Sequence, residues 1–173
     1  MKIILLGYMA SGKSTVGRLL AKIIGYKFID LDNYIEKKED KTISDIFNEK
    51  GEIYFRKVEN TYLKELLIMD EKTVISLGGG TPCYANNMDL IKSQKNAVTF
   101  YLKTSLKEIV YRLRQEKGKR PIVADIDTEE ALTEFVGKHL FERNPYYLRS
   151  DHIIDTDKKT AKTSIEEIIF ELF

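Results

Sequence analysis

Eight residues near the start of the chain, Gly7 to Ser14 with the sequence GYMASGKS, have the types and spacing needed to hold a polyphosphate. Gly-x4-Gly-Lys-Ser between an apolar run and an amphipathic segment is the pattern of a phosphate-binding P-loop. Gly12 lets backbone N–H groups close around phosphate oxygens at a helix N-terminus, where the helix dipole favours negative charge. Lys13 is predicted to reach the β- and γ-phosphates, and the hydroxyl of Ser14 suits Mg²⁺. We therefore expect the chain to bind a nucleoside triphosphate.

The next apolar segment predicts a strand over 27–31, and two carboxylates, Asp30 and Asp32, stand at its end. In an extended strand alternate residues share a face, so both carboxylates would point to one side. One carboxylate could then complete a magnesium shell while the other orients or deprotonates an acceptor hydroxyl. The alternative is a helix N-cap for the segment from Asn33. Because a P-loop precedes the pair, we favour the functional interpretation.

Two arginines have the chemistry to bind an acidic substrate. Arg56 stands three residues before Glu59, which is pairing distance on a helix, and a guanidinium held in this way can bind a carboxylate bidentately. A surface ion pair is the alternative, and spacing alone favours it. Arg143 is predicted to lie in the last turn of a helix that Pro145 ends, where the helix dipole alone would also favour a cation.

Two irregular segments could complete a site. Residues 114–127 are basic and break the helical pattern, which predicts a lid over the phosphates with Arg120 stabilising the charge of the transferring group. A solvated basic loop is the alternative. Gly78, Gly79 and Gly80 follow a predicted strand at a cost in backbone entropy, so we expect a ligand against the main chain, a tight turn, or both.

The elements that must position these residues alternate along the chain. Buried strands are predicted over 2–6, 27–31, 73–77, 97–102 and 152–155. Helices are predicted from one apolar face each: a first helix with Val16, Leu19, Leu20, Ile23 and Ile24, and others that begin at Thr42, Leu106, Thr128 and Thr163. Gly51 is predicted to interrupt the helix that begins at Thr42. Such alternation indicates an α/β fold with a mostly parallel sheet, and ligands bind at the carboxyl ends of its strands.

Composition excludes several classes of protein. The chain has 173 residues, 43% of them hydrophobic and 32% charged, which suits one soluble domain over 1–173. A net charge of +1 argues against a large nucleic-acid surface, and a single cysteine excludes an internal disulfide framework. No apolar stretch approaches the roughly 20 residues of a membrane span. We expect a cytoplasmic monomer without nucleic-acid or membrane partners.

Taken together, these residues make the chain similar to the shikimate kinases, small ATP-dependent enzymes of the nucleoside-monophosphate-kinase-like P-loop class. The resemblance covers nearly the whole chain, through GYMASGKSTVGRLLA, FIDLDNYIE, ISDIFNEKGEIYFRKVE, VISLGGG, KRPI, ERNPYY and IIDT. It implies a three-layer α/β/α P-loop kinase fold with a five-stranded parallel sheet, a substrate-binding helical region over 33–62 and a mobile lid over 114–127. It also implies phosphoryl transfer from ATP, with Mg²⁺, to the 3-hydroxyl of shikimate in aromatic amino-acid biosynthesis.

The resemblance further implies a role for each motif residue. Asp32 would contact the shikimate hydroxyls and, with Lys13 and Arg120, carry the catalysis. Arg56 and Arg143 would clamp the shikimate carboxylate beside the backbone of Gly78, Gly79 and Gly80. Asp30 would support Mg²⁺ through water, with Ser14 as a direct ligand. The nucleotide would be held by Gly7, Ala10, Ser11, Gly12, Lys13, Ser14, Thr15, Arg114, Arg120 and Thr156.

Two positions depart from the family pattern, and two other functions stay open. Ala10 stands where the family often has glycine, and alanine narrows the allowed φ there. The family tends to pack an arginine on adenine before the lid, and spacing does not decide between Arg112 and Arg114. The nearest rival function is a gluconate-type small-molecule kinase, because gluconate also carries a carboxylate. A nucleotide-dependent switch or binding module is the rival from another class.

Overall fold

A central parallel sheet organises the molecule, for which the computed structural model describes residues 1–116 and 121–173. The strands are β1 (Lys2–Leu6), β2 (Lys27–Asp30), β3 (Thr73–Ser76), β4 (Ala97–Lys103) and β5 (His152–Asp155). They lie in the order β2-β3-β1-β4-β5, and each neighbouring pair is parallel. The predicted five-stranded parallel sheet is confirmed.

Helices cover both faces of this sheet. They are α1 (Lys13–Ile24), α2 (Leu31–Glu39), α3 (Ile43–Ile68), α4 (Asn87–Lys92), α5 (Leu106–Gln115), α6 (Pro121–Ala124), α7 (Glu129–Tyr147) and α8 (Ala161–Leu172). In β1, Ile3 and Leu5 pack into a core shared with α1 and α8, whereas Ile4 and Leu6 pack into a second core shared with α2, α3, α5 and α7. This burial on both faces explains why the strand is apolar throughout, and it gives three layers.

The buried face of α1 differs from the predicted one. Leu19 and Ile23 are 44% and 61% exposed, although the apolar spacing placed both on the core face. The helix instead turns Gly17 toward the sheet, where an added Cβ would lie 2.5 Å from the ring of Phe28 and 3.1 Å from Leu5. Close backbone approach at a glycine therefore set the rotation of the helix, and the spacing of large apolar residues did not reveal it.

Four elements, β2, α2, α4 and α8, also differ from the sequence predictions. β2 ends at Asp30, and α2 begins at Leu31, two residues before the segment from Asn33 that was the alternative helix. Asp32 therefore lies in a helical turn rather than on an extended strand. The short helix α4 was not predicted. The N-cap of α8 is Thr160, three residues before the expected cap Thr163, and its side chain accepts a hydrogen bond from the N–H of Thr163.

Helix α7 continues through Pro145 to Tyr147, so Pro145 does not end it and Arg143 is not in its last turn. The acceptor that the proline leaves without a partner is the carbonyl of Phe141, a residue that is 84% exposed and can be solvated. The predicted break in α3 is confirmed, since Gly51 has φ 79° and ψ 172°. Within the described residues, no helix combines the length and the apolar character needed to cross a bilayer.

Candidate active site

The segments that follow β1, β2 and β3 meet at one edge of the sheet. They line a cavity of about 220 Å³ with residues of the P-loop, the aspartate pair and the glycine run. The predicted residues on its wall are Ala10, Gly12, Lys13, Ser14, Thr15, Asp30, Asp32, Gly78 and Gly79. Because the carboxyl ends of parallel strands share an edge, three motifs far apart in the chain become one site.

The P-loop adopts a conformation that only certain residues accept without strain. Gly7 and Gly12 have φ of 147° and 91°, and a Cβ on Gly7 would lie 2.8 Å from the carbonyl oxygen of Leu102. Ala10 has φ 61°, a left-handed conformation that costs a residue with a Cβ about 1–2 kcal/mol. The departure of Ala10 from the family pattern therefore falls at a strained position.

Two polar groups of this loop are suited to phosphate. The ammonium of Lys13 donates to the carbonyl oxygens of Gly7 and Tyr8, both at 2.9 Å, so it lies folded over the loop that would hold the anion. The hydroxyl of Ser11 is buried and has no hydrogen-bond partner in the described part of the chain. A buried hydroxyl without a partner is costly unless a ligand satisfies it.

Ser14 and Asp30 form the candidate magnesium site. The Ser14 hydroxyl donates to Oδ2 of Asp30 at 2.8 Å, while Oδ1 of Asp30 accepts from the backbone N–H of Asp32 at 3.2 Å and of Asn33 at 3.4 Å. Asp30 is therefore the N-cap of α2 and also accepts a hydrogen bond from Ser14, so the cap interpretation is confirmed and the role in binding Mg²⁺ stays a prediction.

The donor set fits Mg²⁺, which takes one or two protein oxygens and completes its shell with phosphates and water. No cluster of three or more His, Cys, Asp or Glu side chains that could hold a metal occurs among residues 1–116 and 121–173. The remaining ligands would have to come from the nucleotide and from solvent.

Asp32 is electrostatically distinct from Asp30. Burial is the main reason that the pKa of Asp32 is raised from 3.8 to about 6, and the nearby carboxylates of Asp30 and Glu59 raise it further, while Lys13 opposes the shift. A carboxyl group with a pKa near neutrality can exchange a proton under working conditions, which is the property that a general base requires.

Arg56 is held by a buried carboxylate. Its Nη1 donates to Oε2 of Glu59 at 2.9 Å, and Glu59 is only 1% exposed. The other oxygen of Glu59 accepts from the hydroxyl of Thr81 at 2.6 Å, which ties the pair to the turn after the glycine run. The Nε of Arg56 is buried and has no hydrogen-bond partner among the described residues. The arrangement is a buried ion pair, not the surface pair that spacing favoured, with one donor left for a ligand.

Arg143 reaches the same glycine run from α7. Its Nη1 lies 3.3 Å from the position that a Cβ on Gly79 would take, and its guanidinium lies 5.4 Å from the centre of the Tyr8 ring. Within the described part of the chain, Arg143 forms no ion pair with a carboxylate, in contrast to Arg56. The hydroxyl of Tyr147 donates to the carbonyl oxygen of Gly79 at 2.5 Å and so anchors α7 to the run.

The glycine run has a structural reason that the sequence did not reveal. A Cβ on Gly80 would lie 2.9 Å from Nη2 of Arg56, and one on Gly78 would lie 2.9 Å from Oδ1 of Asp32. Side chains at this turn would therefore displace the groups that form the site. The sequence offered no signal for the contacts of Thr81 and Tyr147, because both depend on how distant elements pack.

Of the two arginines at the end of α5, Arg112 is the one that contacts the P-loop. Arg112 donates to the carbonyl oxygens of Ala10 at 3.2 Å and Thr156 at 3.0 Å, so it joins the P-loop to the loop after β5. Arg114 pairs with Glu129 and its side chain is 56% exposed, which corrects its assignment to the nucleotide. Arg120 lies outside the described residues, and the predicted lid is described only at 114–116 and 121–127.

The fold and this site define a P-loop kinase with a pocket for a small acceptor. A family model described as "Shikimate kinase" matches residues 9–173. A shikimate kinase from Flavobacterium johnsoniae is 46% identical over 168 residues, which are 97% of this chain and 96% of the relative.

Solved structures agree with this match. The crystal structure of shikimate kinase from Bacteroides thetaiotaomicron has a TM-score of 0.91 at 34% identity and covers 99% of this chain and 98% of its own. That of shikimate kinase from Acinetobacter baumannii in complex with shikimate has a TM-score of 0.86 at 31% identity and covers 99% and 92%. The chain belongs to the shikimate kinase family. It is a phosphotransferase that acts on an alcohol group of shikimate and uses ATP with Mg²⁺.

Proposed function

We propose that the residues of this site transfer the γ-phosphoryl group of ATP to the 3-hydroxyl of shikimate, and that the protein acts as a cytoplasmic monomer. The observation that carries the proposal is that two guanidinium groups from separate helices, Arg56 and Arg143, flank Gly79 and Gly80 beside Asp32. A planar carboxylate is the ligand that paired guanidinium groups recognise best.

The acceptor acid has a defined place in this arrangement. The Nε of Arg56 can donate to one carboxylate oxygen of the acceptor, and Arg143 can neutralise the carboxylate charge. The acceptor would then supply the hydrogen-bond partner that Nε lacks and the anion that Arg143 lacks among the described residues. Asp32 lies at the start of the glycine run, where its Oδ1 would be 2.9 Å from a Cβ on Gly78, and it would accept a hydrogen bond from the reacting hydroxyl. With its pKa raised to about 6, Asp32 is ionised at neutral pH and can also take the proton late in the transfer.

The donor side uses residues of the P-loop. The backbone N–H groups at the start of α1, the hydroxyl of Ser11 and the ammonium of Lys13 would hold the triphosphate. Mg²⁺, when bound beside Ser14 and Asp30, supplies positive charge that offsets the phosphate oxygens. Arg120 is proposed to add a further cation at the transferring group. The protein thus positions the reactants and stabilises charge, and the transfer itself needs no covalent intermediate with the protein.

A coupled assay of ADP release with a panel of acceptors tests the proposal. Shikimate is expected to support turnover at least a hundredfold faster than gluconate or a nucleoside monophosphate, and the product should carry phosphate on the 3-hydroxyl by ³¹P NMR. Faster turnover with gluconate would instead favour the related small-molecule kinase. Slow hydrolysis that no acceptor accelerates would favour the nucleotide-dependent switch, and the oligomeric state follows from light scattering of the same sample.

A further inference from the structure

Two aromatic rings lie near the Arg56 guanidinium. The centre of the Tyr84 ring is 3.8 Å from its Cζ, and the centre of the Phe55 ring is 5.1 Å away. The ring of Tyr84 is thus the closer of the two, and it comes from the segment after the glycine run rather than from α3. Cation–π contact of this kind is strongest when the cation is partly removed from water, and the Arg56 side chain is 19% exposed.

A carboxylate holds the Tyr84 ring against Arg56. The hydroxyl of Tyr84 donates to Oε1 of Glu52 at 2.9 Å, and the same oxygen lies 3.6 Å from Nε of Arg56. Glu52 is one helical turn before Arg56 on α3, so the tether joins the ring to the helix that carries the arginine. At 3.6 Å the oxygen is too far to form a normal hydrogen bond with Nε.

The remaining edges of the guanidinium are also constrained. Nη1 is taken by Glu59, and Nη2 lies where a Cβ on Gly80 would be only 2.9 Å away. The Tyr84 ring, whose centre is 3.8 Å from Cζ, therefore limits how far the guanidinium can move, while Glu59 holds its Nη1. A planar group held in this way presents its remaining donor, Nε, at a set angle, and recognition of a carboxylate by a guanidinium depends on that angle.

We propose that Tyr84 is a positioning residue for carboxylate recognition, and that Glu52 holds it in place. This inference rests on the proposed function of Arg56 as a ligand of the acceptor carboxylate. Tyr84 does not transfer a proton or a phosphoryl group. It reduces the conformations open to Arg56 before the acceptor arrives, so that binding loses less conformational freedom.

Steady-state kinetics of four variants test the role of Tyr84. We expect Tyr84→Leu to raise KM for shikimate about tenfold with KM for ATP within twofold of the wild type. Tyr84→Phe keeps the ring and loses the tether, so its KM for shikimate should rise only about threefold. Glu52→Ala should raise this KM at least as much, because it removes the tether and also the charge 3.6 Å from Nε of Arg56. The double variant should be no worse than Glu52→Ala, because the tether is already absent there. Tyr26→Leu is the control, because Tyr26 precedes β2 at the opposite end of the sheet, with its ring centre 6.0 Å from Nζ of Lys72; it should leave both KM values unchanged.

A carboxamide analogue of shikimate adds a readout that a purely structural role would not change. Tyr84→Leu should reduce the preference for shikimate over the carboxamide at least threefold, as measured by the ratio of kcat/KM values. An unchanged KM for shikimate in Tyr84→Leu, or an equal rise of both KM values, would overturn the inference while the wild type stays active. Wild-type protein that does not phosphorylate shikimate would refute the proposed function instead. Should Tyr84→Leu not fold, additive effects of Tyr84→Phe and Glu52→Ala would also overturn it.

Discussion

Nη2 of Arg56 lies so close to Gly80 that a Cβ on this glycine would be only 2.9 Å from the guanidinium nitrogen. Gly80 itself has φ −87° and ψ −17°, a conformation that any residue adopts. The glycine is therefore required by the neighbouring side chain and not by its own backbone. The turn after β3 and the arginine of α3 consequently depend on each other for their positions.

The first prediction concerns Gly80→Ala, which should displace the Arg56 guanidinium without disturbing the P-loop. We expect KM for shikimate to rise about tenfold, in line with the energies of overpacking, and KM for ATP to stay within twofold. Gly137→Ala is the matched control, because an added Cβ there makes an ordinary 3.5 Å contact in the middle of α7. That control should stabilise the fold by about 1 kcal/mol without a change in either KM. Similar kinetics in both variants would contradict this account of Gly80.

Arg56→Lys should separate charge from geometry. Lysine keeps the positive charge beside the buried Glu59 but loses the planar fork, so we expect KM for shikimate to rise about thirtyfold and KM for ATP to change little. Arg56→Ala should weaken shikimate binding further and also destabilise the fold by about 3–5 kcal/mol, because it leaves Glu59 buried without its cation. Arg149→Lys, on a surface pair with Asp89, serves as the control. Equal loss of both affinities in Arg56→Lys would contradict a carboxylate-binding role.

Asp32→Asn should change how stability depends on pH. A carboxyl group whose pKa rises from 3.8 to about 6 on folding stabilises the protein below pH 3.8, and this contribution is lost as the pH rises through 6. The variant should therefore unfold with a free energy higher than wild type by about 3 kcal/mol at pH 7 and by much less at pH 4.

As the pH rises, wild-type turnover should increase, whereas the contribution of Asp32 to stability decreases. We expect wild-type kcat/KM for shikimate to rise with pH through an apparent pKa near 6, and Asp32→Asn to lose most of its turnover at all pH values. Chemical denaturation and initial rates at pH 4 to 8 would test both expectations. Parallel stability profiles for the two proteins would show that Asp32 is not the buried carboxyl group inferred here.

Arg112 and Arg114 should differ in their effect on the nucleotide. Arg112→Ala removes donors to the carbonyl oxygens of Ala10 and Thr156, so we expect KM for ATP to rise about tenfold with little effect on shikimate. Arg114→Ala loses only an exposed pair with Glu129, and such pairs contribute at most about 1 kcal/mol to stability. Initial rates at varied ATP would reveal the difference. A larger effect from Arg114→Ala would restore the assignment made from sequence.

Ala10→Gly should stabilise the protein. Glycine removes the cost of a left-handed residue, about 1–2 kcal/mol, and adds an entropic cost of folding of about 0.5–1 kcal/mol. A net gain in stability of up to about 1.5 kcal/mol is therefore expected. Ala131→Gly is the control, since Ala131 is exposed in helix α7 and should lose about 1 kcal/mol. Urea denaturation measures whether the free energy of unfolding rises in Ala10→Gly and falls in Ala131→Gly. A loss of stability in Ala10→Gly would show that the loop is not strained at this residue.

Short sequence patterns were sufficient to predict conformations that depend only on neighbouring residues. The P-loop, the break at Gly51 and the cap at Thr128 each depend on a few adjacent residues, and the structure shows all three conformations as predicted. The roles of Asp30 and Arg56 were harder to predict from the sequence. Spacing could not decide between a helix cap and a magnesium ligand for Asp30, and it favoured an exposed pair for Arg56, whose partner Glu59 is in fact only 1% exposed.

The sequence by itself determined the order of the elements and the three motifs at strand ends, because hydrophobic period and glycine spacing act over short stretches. Only the tertiary structure decided which guanidinium groups face the glycine run, that Arg112 rather than Arg114 reaches the P-loop, and that Tyr84 covers Arg56. The physical reason is that such contacts join residues tens of positions apart, and their geometry is set by helix rotation and close packing, as at Gly17. A one-dimensional pattern of residue types contains no measure of that rotation.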